Sequence, residues 1–138
     1  MSLYFSITEA IRSVGGDPTD HLWEWLATYG PHGERFTWSQ TRQSPPGYVG
    51  IEHLEKLLAE REAESPGYRE QVRARAYAGL ESEHPSLLRR SIQVAAAVGA
   101  RGELERITAL VSHEVSAVAA DARAAAFHLK MRLRRSDA

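Results

Sequence analysis

At 138 residues, with 43% apolar and 25% charged side chains, the chain has the make-up of one globular domain large enough to bury a core. It has no cysteine, which excludes disulfides, thiolate metal sites and cysteine nucleophiles. No stretch approaches the roughly 20 apolar residues of a membrane span and no basic-then-apolar leader opens the chain, so no membrane partner and a cytoplasmic location are expected.

The net charge of −1 is unevenly spread: residues 1–67 carry ten acids and five bases, residues 68–138 eight acids and twelve bases. The preference for arginine over lysine resembles the usage of a GC-rich bacterial genome.

Along the chain, Ser6-Ile7-Thr8-Glu9 reads as a capping box, with Ile7, Ala10, Ile11 and Val14 on one helical face and Gly15-Gly16 as the stop. Asp17-Pro18 reads as N-cap and first position of a second helix, whose stripe is Leu22, Trp25, Leu26 and Tyr29. Residues 30–48 break every periodicity and hold Phe36, Trp38 and Tyr48. A connection of that length is uncommon inside a domain and is often functional.

Regular patterning resumes at Val49. Ile51, Leu54, Leu57 and Leu58 form one stripe, with a Glu52–Lys56 pair on the surface, and Ser65-Pro66-Gly67 ends it. Tyr68, Val72, Ala76, Gly79 and Leu80 form the next. Pro85 opens a helix carrying Leu87, Leu88, Ser91, Ala95 and Val98 and closed by Gly99. Leu104, Ile107, Leu110 and Val111 define another. A long last helix carries Val115, Val118, Ala119, Ala122, Ala125, Ala126, Leu129 and Leu133. Short helices with brief loops predict antiparallel neighbours.

Over residues 85–130 this pattern resembles HEAT-repeat proteins, whose second helix starts on a branched apolar residue followed by arginine. Val72-Arg73…Ala76, Leu88-Arg89…Ile92 and Val118-Ala119…Ala122 carry the likeness, and Gly102–Val111 looks like a first helix. Leu88 and Val118 are 30 residues apart, a repeat-sized interval, whereas Val72 and Leu88 are separated by only 16. His113-Glu114 stands where the family has an aspartate turn.

The resemblance implies an all-α protein, a right-handed stack of short antiparallel helix pairs (a HEAT-like superhelix). Within a single domain, residues 1–48 supply two N-terminal helices and a long aromatic loop, 49–133 the helix pairs, and 134–138 a tail. It also implies a scaffold for a partner protein, such as a small bacterial immunity or regulatory protein, and no cofactor.

No phosphate loop, nucleophile elbow or His-Glu-x-x-His helix is present, and the six histidines are scattered singly, so neither a catalytic set nor a metal site is expected. Asp121 and His128 share a face but stand about 10 Å apart along the axis, too far for direct pairing. The expected partner contacts are Arg35, Phe36, Trp38 and Tyr48 of the loop with Arg73, Arg89 and Arg90 of the helices. Trp38 reads either as a lid over the core or as a recognition residue. A second reading has the basic half bind nucleic acid through Arg69, Arg73, Arg89, Arg90 and Arg106. Phe127 and Met131, with Ala120 and Ala124, form a second stripe on the last helix, to be covered either by the N-terminal helices or by another subunit in a homodimer.

Overall fold

The protein is seen in a computed structural model, which describes residues 3–28 and 48–137. Its first helix, α1 (Leu3–Ser13), begins one turn before Ser6. Ser6 therefore lies inside the helix and is not its cap. Gly15 at φ 83° and the Gly16 N–H to Ile11 carbonyl bond, 2.9 Å, end α1 in a Schellman turn.

The Asp17 carboxylate is taken up by the Thr19 N–H (2.9 Å) and hydroxyl (2.7 Å) in a tight turn. The cap of α2 (His21–Thr28) is Asp20 instead, which accepts from the Leu22 N–H at 3.0 Å. The loop residues Arg35, Phe36 and Trp38 lie outside the described residues, and Tyr48 opens α3 (Tyr48–Glu64). Gly67, at φ 94°, turns the chain after α3, its N–H held by the Glu62 carboxylate at 2.9 Å.

Four further helices follow: α4 (Tyr68–Gly79), α5 (Pro85–Val98), α6 (Arg101–Ala109) and α7 (Ser116–Asp137). A single 3-10 turn, Leu110–Ser112, extends α6, and His113 Nδ1 accepts the Val115 N–H at 3.0 Å ahead of α7. α7 continues through most of the stretch expected as a tail. The fold is all-α, with no strand among the described residues. Glu52 and Lys56 form no ion pair among them either.

α5 is the centre of the molecule. Every residue from Leu87 to Gly99 is buried, and α5 packs against each of the other six described helices. α1, α2 and α3 lie against it from outside the α4–α7 set, so the core is wrapped around one helix. Two glycines permit the closest approaches. A Cβ on Gly79 would stand 2.9 Å from the Ser91 Cβ, which lets α4 and α5 meet almost backbone to backbone. A Cβ on Gly99 would collide with the Ala95 carbonyl and stand 2.7 Å from the Glu103 Cβ, so only glycine fits the step from α5 to α6. Gly99→Ala is therefore expected to destabilise the protein by about 1–3 kcal/mol in urea unfolding. Unchanged stability would contradict this packing.

Contacts between the last four helices have a constant register. Arg89 meets Asp121 and, further along both helices, the Gly99 carbonyl meets Arg132, so α5 and α7 run in the same direction. Arg73 meets Glu103 and Tyr77 meets Arg106, which sets the same direction for α4 and α6. The paired positions Arg73–Glu103, Arg89–Asp121 and Gly99–Arg132 are 30, 32 and 33 residues apart.

Candidate functional site: a groove between α4 and α6

Long side chains, rather than close backbone packing, bridge α4 and α6. Arg73 donates from Nε to Glu103 at 2.6 Å and from Nη2 at 3.1 Å, a two-point pairing. The same carboxylate accepts the Ala100 N–H at 3.0 Å and so helps to start α6. Glu103 is nearly buried and Arg73 about one-third exposed, so the arginine presents one edge to solvent while the acid fixes it from behind.

Burial works against ionisation of Glu103. The Arg73 guanidinium and the Ala100 N–H outweigh it and hold the carboxyl below its usual range. The bond to Glu103 in turn raises the Arg73 pKa.

One turn along α4, Tyr77 is 42% exposed, its ring under the Arg106 guanidinium at 5.6 Å. Arg106 is itself paired with Glu81. The space between is an open groove of about 460 Å³ lined by Glu70, Arg73, Ala74 and Tyr77 of α4 and by Gly102 and Glu103 of α6. A Cβ on Gly102 would touch nothing within 4 Å, so bare backbone floors one end. A braced guanidinium, a half-exposed phenol and accessible backbone are groups suited to recognition. Among the described residues, no group of three His, Cys, Asp or Glu could hold a metal ion. No helix among them is long and apolar enough to cross a membrane.

Of Arg73, Arg89 and Arg90, the helical arginines expected at a protein partner, Arg73 lines this surface. Arg89 and Arg90 do not, and their expected place at a partner contact is corrected by their burial: they are 2% and 0% exposed on α5. Arg89 donates from Nε to Asp121 at 2.6 Å. Burial pushes the Asp121 carboxyl up to about 7, against the pull of Arg89.

Asp121 and His128 find separate partners on other helices, His128 bonding Glu55 of α3. His128 is thus a core histidine, not a solvated one. Arg132 closes the end of α5 by donating to the Ala96 carbonyl at 3.3 Å and to the Gly99 carbonyl, a cation at a helix C-terminus. Phe127 and Met131 stand on the outer side of α7, 60% and 37% exposed.

Tyr77 was not singled out by sequence reasoning. Its one signal is its place four residues after Arg73, off the Val72–Ala76 stripe and therefore on the outer side of α4. No protein-family model, curated protein or solved structure matches the chain.

Proposed function

We propose that the protein is a non-catalytic binding module for another protein, of HEAT-like type and of the small bacterial immunity or regulatory kind, with the α4/α6 groove as part of its docking surface. One observation carries this reading: Arg73 and Tyr77, residue types that dominate interface hot spots, are partly exposed side by side and braced by Glu103 and Arg106. Bracing matters because a side chain already fixed loses little freedom on binding.

The HEAT-like part of the reading is supported by the register. α4/α5 and α6/α7 behave as successive pairs, first helix beside first helix and second beside second, at repeat-sized intervals. On this reading Val72 lies on a first helix, so the 16 residues from Val72 to Leu88 span the two helices of one pair, and the second-helix match of Val72-Arg73…Ala76 is given up. The all-round burial of α5 departs from a purely linear stack, in which a helix touches only its neighbours.

Nucleic-acid binding is less well supported. Of the arginines named for it, Arg73, Arg89 and Arg106 are each paired with a carboxylate, which offsets the charge they would bring to phosphates.

Tyr77→Ala is the clean test, because Arg73→Ala would also leave Glu103 buried without its partner. In affinity capture from the native cells followed by titration of the captured protein, Tyr77→Ala should weaken binding by about 2 kcal/mol, at an unchanged melting midpoint. Full retention of affinity would remove the groove from the interface. Arg35, Phe36, Trp38 and Tyr48 belong to the same proposal. Trp38→Ala should likewise lower affinity by at least about 2 kcal/mol with little effect on stability. A loss of about 3–5 kcal/mol of stability with binding intact would make Trp38 a core residue instead.

A further inference from the structure

Four cations that join no ion pair among the described residues lie together on one side of α7. At about 100° per residue, Arg123, Phe127, Lys130, Met131, Arg134 and Arg135 fall within an arc of roughly 140°. All six are exposed, and none of the four cations joins an ion pair among the described residues. Among the described side chains no acid breaks the arc, and Asp121 points inward to Arg89. Elsewhere the fold joins its helices by pairing arginine with acid: Arg73 with Glu103, Arg75 with Asp20, Arg89 with Asp121. The arc carries the basic half of that pattern beside two exposed apolar groups.

The acidic half is available on α3. Glu52, Glu60 and Glu64 are exposed there and take part in no described ion pair, with Ala59 and Ala63 exposed between them and Lys56 as a cation within the stripe. Packing of α3 against α7 through the Glu55–His128 bond makes this surface contiguous with the arc, because His128 lies one residue round the helix from Phe127.

We propose that the outer arc of α7 seats α3 of a second copy, giving a two-fold dimer in which each basic arc meets the other copy's acidic stripe. Contiguity lets one two-fold axis close both contacts at once, so association stops at two. Pairing α7 with α7 would set cations against cations, so the dimer face suggested by Phe127 and Met131 alone is extended to include α3.

Light scattering on the full chain tests this. The wild type should have the mass of a dimer at about 0.05 M salt and dissociate towards monomer at about 0.5 M, where screening is stronger. Lys130→Glu with Arg134→Glu should give a monomer, as should Glu52→Lys with Glu60→Lys. Mixing the two monomers one to one should restore a dimer, since reversed α7 then meets reversed α3 while the native pair is kept. That rescue also shows both variants to be folded. A monomeric wild type at low salt, or a dimer indifferent to both reversals, would overturn the proposal. A monomer that sediments with vesicles of about 30% phosphatidylserine would overturn it too, and would assign the arc to anionic lipid.

Discussion

Arg89→Ala is expected to destabilise the protein by about 3–5 kcal/mol, read as a fall in the urea midpoint at unchanged slope. The guanidinium and the Asp121 carboxylate are both almost wholly buried, 3% and 1% exposed. Removing the guanidinium leaves the buried carboxyl without its partner and, above about pH 7 where it is ionised, without a counter-charge, and that cost exceeds the net worth of the pair itself. The double change Arg89→Met with Asp121→Leu should therefore be more stable than Arg89→Ala, since the buried acid is then removed together with its partner. Equal losses in the two would show that the ion pair is not what holds α5 to α7.

A pH dependence follows from the same pair. Burial raises the folded-state pKa of Asp121 from 3.8 to about 7, so between those values the native protein binds a proton that the unfolded chain does not. The contribution of Asp121 is thus fully present below about 4 and is lost as pH rises through about 7. Asp17, Asp20 and Glu103 have lowered values, so their contributions are present above their ordinary range and are lost only as pH falls below it. For Asp20, burial is outweighed by Arg75 and the Leu22 N–H. From pH 5 to pH 7 the Asp121 slope stands clear of theirs. The melting midpoint should decline with pH over that interval, and Asp121→Asn should flatten the decline.

Ile92→Ala is expected to cost about 2–5 kcal/mol. Ile92 is fully buried at the middle of α5, which is packed on every side, so the void left by three carbons has little freedom to collapse. Leu104→Ala on α6 should cost less, because Leu104 is only partly buried at the edge of the core. Equal costs, measured by thermal and urea unfolding, would argue against α5 as the centre of the fold.

Much of the helical framework was legible in the sequence because its signals are local. Pro85 and Gly99 bracket α5, the Gly15 and Gly67 turns end α1 and α3, and an interval close to the 30 residues between Leu88 and Val118 reappears as 30 in the Arg73–Glu103 contact and 32 in the Arg89–Asp121 contact. Where two local signals competed, the first one met along the chain misled: Asp17 has the residue type of a cap, but Thr19 occupies its carboxylate and Asp20 does the capping.

The site was harder to read. Arg89 and Arg90 look like surface cations because they are charged and fall off the Leu87–Leu88–Ser91–Ala95–Val98 stripe, and the Asp121 that pairs with Arg89 lies 32 residues away. Arg73 was found for its residue type alone. The acid that aims it, Glu103, and the neighbour that completes the groove, Tyr77, acquire meaning only when α4 and α6 lie side by side.

The claim that the α4/α6 groove is a docking surface is tested most directly by a photo-crosslink from within it. With p-benzoylphenylalanine in place of Tyr77, illumination of the native cells should give one discrete protein adduct larger than the chain itself. The same residue placed at Thr108, exposed on α6 outside the groove, should give none. No adduct from position 77, or the same adduct from both positions, would contradict a docking site in the groove.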